Sequence, residues 1–265
     1  LDHAFEQRER VGPLPLEGFP GDLIVPNITP DQETGIGAWT DGEILRAMRE
    51  GVGRDGRALF PMMAYPAYRH LSDEDAYAVV AYLRSLPPVR KKWAPTRINF
   101  PVNLFIKDVP QPVAGSTPPP NKADKLAYGK YLVTVAACTD CHTPVDDRGQ
   151  PLPGKEYAGG RLFAMVGTPL RVYSANITPD NDTGLGVWTE ERFLQKIRSY
   201  RPYAEGESPQ VGPASFTVMP WLALTKLTDE DLSAIYAHLR TLPPVYHSVE
   251  KYKGLDPTAA TGPSR

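Results

Sequence analysis

Apolar positions recur at helical spacing in two matched pairs of segments. After Thr40 come Ile44, Leu45 and Met48, and after Thr189 come Phe193, Leu194 and Ile197. Steps of three and four residues place each set on one face of a helix, and threonine is a favoured N-cap. A second pair follows Ser72 and Thr228, each trailed by three acidic residues that suit the positive end of a helix. The predicted buried stripes are Ala76, Val79, Val80 and Leu83 in one, and Leu232, Ile235, Tyr236 and Leu239 in the other. Both members end at Leu-Pro-Pro, because proline bars its predecessor from helical backbone. A further helix is predicted from Asp124 to about Cys138, with Tyr128, Tyr131, Leu132 and Val135 on one face. The first half of the chain has no counterpart to it. No convincing alternating run predicts a sheet, so the expected class is mainly α with long loops.

The pairing is a duplication. Asn27–Thr40 reads NITPDQETGIGAWT and Asn176–Thr189 reads NITPDNDTGLGVWT, an offset of 149 residues. The later segments, LSDEDAYAVVAYLRSLPPV from Leu71 and LTDEDLSAIYAHLRTLPPV from Leu227, are offset by 156. An insertion of seven residues therefore falls in the second copy, in the loop from Tyr200 to Pro213. Two copies of a unit this long make a tandem domain pair, not a solenoid. Pro110–Pro120 (PQPVAGSTPPP) is a semi-rigid, proline-rich spacer. The expected organisation is a first domain over 1–109, a linker over 110–121 and a second domain over 122–265.

Composition narrows the function. A net charge of −2 and a pI near 6.3 give no basic footprint for nucleic acid. Proline, at 29 of 265 residues, has about twice its average share, which favours loops and short helices. No apolar run is long enough to span a membrane. No leader opens the chain, so any export signal is expected to be absent or already removed. Only two cysteines occur, three apart, which excludes a disulfide framework.

Those cysteines lie in Cys138-Thr-Asp-Cys141-His142, the attachment signature of c-type haem. Cys138 and Cys141 would add to the two porphyrin vinyl groups, and His142 would supply a neutral nitrogen ligand to the iron. A thioredoxin-like use needs a βαβ context, which a helix followed by a proline-glycine loop does not give. A structural zinc site needs four ligands, and there is no second cysteine pair. The second axial ligand of an electron carrier is usually methionine. Met219, in a loop just before the last helix, is the candidate, and the 156 offset pairs it with Met63. Met62, beside Met63, competes for that role in the first copy. Trp39 and Trp188 are either core aromatics or donors of an indole N–H to a haem propionate. Tyr65 and Trp221 flank the candidate methionines and are expected to wall the pocket. His3, His70, His238 and His247 are expected at surface, cap or linking positions. Without a displaceable sixth ligand the polypeptide offers no catalytic group. The competing functions are a haem peroxidase or small-molecule sensor, and a thiol oxidoreductase.

The run NITPD…TGxGxWT, then PxMxY or VMPW, then L(S/T)DEDxxAxxAxLRxLPPV, resembles the multihaem cytochrome c subunits of bacterial periplasmic alcohol, aldehyde and gluconate dehydrogenases. The resemblance covers most of residues 20–90 and 122–247. It implies tandem class I cytochrome c domains, each with one covalent His/Met-ligated haem c. It also implies export to the periplasm, and redox partners: a dehydrogenase donor and a cytochrome or oxidase acceptor in a respiratory chain. By it, Cys138, Cys141, His142 and Met219 hold one haem and Met63 ligates a second. The first copy departs from the pattern, since subtracting 149 from Cys138 falls upstream of Leu1. The expectation is that its CxxCH lies before Leu1 in a longer polypeptide; the rival is a haemless remnant kept as a docking surface.

Overall fold

The computed structural model describes residues 20–147, 149–164, 171–206 and 217–252. The chain divides into two compact units, Leu1–Pro119 and Pro120–Arg265. In chain order the first holds β1 (Gly21–Asp22), α1 (Asp41–Glu50), α2 (Tyr65–Tyr68), α3 (Asp73–Ser85), β2 (Arg97–Ile98) and α4 (Val102–Phe105). The second holds α5 (Lys125–Val135), α6 (Cys138–His142), β3 (Leu162–Ala164), β4 (Arg171–Tyr173), α7 (Glu190–Arg198), α8 (Arg201–Ala204), α9 (Trp221–Leu224) and α10 (Asp229–Leu239). The class is mainly α. Its strands form two antiparallel ribbons, with Gly21 opposite Ile98 and Phe163 opposite Val172.

The predicted helix starts are built from their caps. Thr40 accepts from the Glu43 N–H while Glu43 accepts from the Thr40 N–H, and Thr228 and Asp231 make the same reciprocal box. Ser72 accepts from the Asp75 N–H and Thr189 from the Arg192 N–H. Residues 207–216, which hold much of the loop assigned the insertion, lie outside the described residues, as do His3 and the tail beyond Tyr252.

Unit two is organised around the crossing of α5 and α10. A Cβ built on Gly129 would stand 1.9 Å from the Ala234 carbonyl oxygen, so only glycine lets the helices approach this closely. Beside the crossing, the Tyr128 hydroxyl donates to Asp231 at 2.6 Å. Val133, Leu185, Ile197, Leu232, Ile235 and Leu239 form the core beneath. His238 packs into this crossing, with its Cβ 2.9 Å from the same hypothetical methyl, and is not a simple surface residue.

Two sequence expectations change. The helix from Asp124 does not run to Cys138. It stops at Val135, and Ala137 turns into the left-handed region (φ 53°) before the separate turn α6 begins. Val79 does not belong to a buried stripe either, being 37% exposed. Its partner positions explain why. Ala234 and Ile235 of α10 are 2% and 7% exposed because they face α5 and the core, whereas α3 packs on α1 through Val80 and leaves Ala78, Val79 and Tyr82 exposed. The core of unit one is correspondingly small, with Ile36, Ile44 and Val80 packed by Trp39, Leu45 and Leu83.

Residues 111–117, expected as a spacer, are fastened to unit one. The Arg69 guanidinium donates to the Gln111 carbonyl (2.7 Å) and the Val113 N–H to Glu50 (3.0 Å). Asp73 accepts from the Ser116 hydroxyl (2.5 Å), the Thr117 N–H (3.2 Å) and the Arg49 guanidinium (2.7 Å). The Ser116 hydroxyl, followed by Arg49, holds the Asp73 carboxyl below the ordinary carboxylate range.

Two outcomes are expected. Gly129→Ala should destabilise unit two by about 1–3 kcal/mol, the usual cost of overpacking, measured by denaturant unfolding. Asp73 has a folded pKa below its unfolded one. Its contribution to unit one is therefore complete above the ordinary Asp range (about 3.9) and is lost as pH falls through the lower folded value. Acid titration of stability should show that loss, and Asp73→Asn should remove it.

Candidate functional site

The repeated NITPD…TGxGxWT segment folds into a hydrogen-bonded loop in both units. In unit two the Asn176 Oδ1 accepts from the Thr178 N–H (2.9 Å) and hydroxyl (2.7 Å). Its Nδ2 donates to the Thr183 hydroxyl (2.9 Å) and to the Val245 carbonyl (2.8 Å), in the Leu-Pro-Pro-Val turn after α10. Asp180 accepts from the Thr183 N–H (2.8 Å) and hydroxyl (2.7 Å). Gly184 is required because a Cβ there would meet the Thr178 carbonyl oxygen at 2.2 Å. Arg240, at the end of α10, donates to the Leu185 and Gly186 carbonyls. Unit one repeats the pattern, with Asn27 bonded to Thr29, Thr34 and the Val89 carbonyl, and Arg84 to the Ile36, Gly37 and Trp39 carbonyls. The motif is thus a latch between this loop and the end of a helix, α10 in unit two and α3 in unit one.

The latch leads to His142. The residue before Asn176 is Ala175, whose carbonyl oxygen lies 2.7 Å from His142 Nδ1. A carbonyl only accepts, so the proton is assigned to Nδ1 and the lone pair to Nε2. Burial pushes the imidazole pKa down, which favours this neutral form. A run with positive φ wraps the other side: Tyr157 (63°), Gly159 (73°) and Gly160 (88°). The Gly159 N–H donates to the His142 carbonyl at 2.6 Å, and a Cβ on Gly159 would stand 2.4 Å from the Ala175 carbonyl carbon. His247 joins this cradle, with Nδ1 3.0 Å from the Ala158 carbonyl oxygen and its ring against Gly160.

Cys138 and Cys141 are free thiols on the same short turn as His142. Burial, reinforced by the neighbouring Cys141, pushes the Cys138 thiol up to about 12, and burial raises Cys141 as well. Redox-active cysteines need the opposite, a lowered pKa in an electropositive setting. Among the described residues no group of three or more His, Cys, Asp or Glu is placed to hold a metal ion. Two thiols and a neutral, buried, oriented imidazole on one turn do fit covalent haem, with Nε2 as the iron donor.

The remaining candidates fall in two groups. Cys138, Trp188 and Trp221 all pack on the core of unit two described above. Arg192 lies over the Trp188 ring at 4.5 Å. Trp221 stacks on Tyr200 at 4.3 Å and donates its indole N–H to the Thr217 hydroxyl. Met219 occupies the turn beside it, its carbonyl accepting from the Trp221 N–H at 2.8 Å. Met63 makes the same turn in unit one, accepting from the Tyr65 N–H at 2.7 Å, so Met63 and not Met62 is the structural equivalent of Met219. Met63 is 36% exposed. Tyr65 is wholly buried, its hydroxyl donating to the Leu59 carbonyl, and its ring fills the space that Gly51 leaves open. Trp39 packs on the small core of unit one. Sequence reasoning missed Ala175, Gly159 and Asn176. The signals available were the Asn repeated in both copies and the Gly159–Gly160 pair.

A cytochrome c family profile matches residues 8–87 and 126–243. The cytochrome c subunit of a quinone alcohol dehydrogenase from Gluconacetobacter polyoxogenes is 32% identical over 269 residues, covering 97% of this chain and 55% of that protein. The gluconate 2-dehydrogenase cytochrome c subunit of Pantoea cypripedii is 32% identical over 249 residues, covering 87% and 53%. A diheme cytochrome c-type protein of Cereibacter sphaeroides is 29% identical over 231 residues, covering 85% and 73%. The chain spans about half the length of the two dehydrogenase subunits.

Gly159→Ala should cost unit two roughly 2–4 kcal/mol, combining left-handed strain of about 1–2 with a backbone clash. Gly154→Ala has a similar φ (73°) but meets nothing within 4 Å, and should cost only the strain. Urea unfolding of both variants separates the two contributions.

Proposed function

The chain belongs to the cytochrome c family, and from that premise we propose that it carries single electrons through covalently attached haem c as an exported, periplasmic protein. The observation that carries this reading is His142, buried and neutral, with Nδ1 committed to Ala175 and Nε2 left for iron. When bound, the group supplies a one-electron ferric/ferrous couple. Cys138 and Cys141 would tether it as thioethers, one sulfur on each of the two former vinyl groups. Met219 would supply the second iron ligand, a thioether that favours the ferrous state. Trp188 and Trp221 exclude water from the pocket. Electron transfer itself requires no acid, base or nucleophile of the protein, whose work is ligation, burial and orientation.

The donor is a dehydrogenase, a reading supported by the names of the dehydrogenase cytochrome subunits similar to this chain, and the electron then passes to a later member of a respiratory chain. A second haem would belong to unit one, with Met63 supplying a thioether ligand. This is supported by the shared turn, by the repeated latch at Asn27 and by the similar diheme protein.

The test is spectroscopic. Denatured protein should retain covalent haem by the pyridine haemochrome assay, and native ferric protein should show the weak far-red band of methionine–iron ligation. Met219→Ala should lose the part of that band due to the Cys138-attached haem while keeping the covalent haem. Non-covalent haem, or a high-spin native ferric spectrum, would overturn the electron-carrier reading.

A further inference from the structure

We propose that Asn176 is a positioning residue for the proximal ligand, setting the reduction potential of the haem held by His142. The inference rests on the haem reading above and deepens it. Ala175 lies in irregular chain between β4 and the repeated loop, so no sheet partner fixes the direction of its carbonyl. Its surroundings fix it instead. Gly159 closes one side, leaving no space even for a methyl group. On the other, the Ile177 N–H donates to the Tyr157 carbonyl at 2.9 Å, and the Asn176 side chain makes the four bonds of the latch. Asn176 is 4% exposed and Thr178 fully buried, so these bonds form where water does not compete.

The consequence for the iron follows from the imidazole. The stronger the hydrogen bond from Nδ1–H to the Ala175 oxygen, the more electron density Nε2 donates. Greater donation stabilises the ferric state and lowers the potential. The Val245 carbonyl, beyond α10, is the far anchor of the latch, so the end of the last helix governs the basicity of a ligand on α6. Without the latch the carbonyl loosens, the bond lengthens and the ferric state loses part of its stabilisation.

Asn176→Ala is therefore expected to favour reduction by about tenfold, which is 59 mV for one electron, in a spectroelectrochemical titration. The His142 ring N–H should also exchange faster with solvent by NMR. Thr178→Val, which removes the hydroxyl's bonds to Asn176 and Val245 but leaves the other three Asn176 bonds, should shift both readouts the same way by less. Thr178→Ser keeps the hydroxyl and should restore both. Asn27→Ala removes the matching latch in unit one and should leave the potential of the Cys138-attached haem unmoved. Should Asn176→Ala fail to fold, Thr178→Val decides by the same two readouts. An Asn176→Ala or Thr178→Val protein that retains covalent haem and methionine ligation but shows unchanged potential and ring N–H exchange overturns the proposal. Absence of covalent haem from the parent protein is a separate outcome, visible in the haemochrome assay, and overturns the haem reading and this proposal with it.

Discussion

The approach of α5 to α10 at Gly129 is the constraint on which the rest of unit two depends. With the Ala234 carbonyl filling the space a methyl would need, the two helices settle at one crossing point and lock in register. Each then delivers something specific. Beyond the end of α5 the chain turns through Ala137 and presents Cys138, Cys141 and His142. Beyond α10 it runs through Leu-Pro-Pro-Val, whose last carbonyl receives the Asn176 side chain. Asn176 follows Ala175, and Ala175 returns to His142. The crossing is therefore one side of a closed circuit, and the imidazole is held from both ends of the unit at once.

Magnitudes assign different jobs to different parts of that circuit. Burying an apolar side chain such as Leu232 or Ile235 is worth about 1.5–3 kcal/mol, while a single intramolecular hydrogen bond nets about 0.5–1.5. The core under the crossing thus decides whether unit two folds. The latch contributes less to stability and more to direction, because hydrogen bonds are selective for angle and burial is not. A carbonyl that must face an imidazole nitrogen needs direction. The four bonds of Asn176 supply it at a point where the chain has neither helix nor sheet.

Much of this is legible in the amino-acid sequence. The caps Thr40, Ser72, Thr189 and Thr228 sit where periodicity and local chemistry place them, because capping is decided within four residues of the chain. The haem motif is legible for the same reason, since its three functional residues fall in one short turn. What the sequence hides is non-local. Val79 fits a helical stripe, but burial needs a partner, and periodicity says nothing about whether a partner helix is present. Ala175 is invisible because its contribution is a backbone oxygen, which any residue would offer. The break at Ala136–Ala137 is hidden too. Alanine is the best helix former, yet Ala137 is forced into the left-handed region so that α6 can turn away from α5.

The duplication then separates what the loop needs from what the attachment turn needs. Asn, Thr, Asp and the arginine before Leu-Pro-Pro recur in both copies, and so do their bonds: Asn27 repeats Asn176, and Arg84 repeats Arg240. These residues hold their loop in unit one, where no counterpart of α5 and α6 is present among the described residues. In unit two the latch and the attachment turn meet where the Ala175 carbonyl faces His142. That meeting has a physical advantage. A carbonyl already directed at the place of the imidazole lets the ligand nitrogen be deprotonated and oriented by the fold itself, and the energetic cost of ordering it is met before iron is bound.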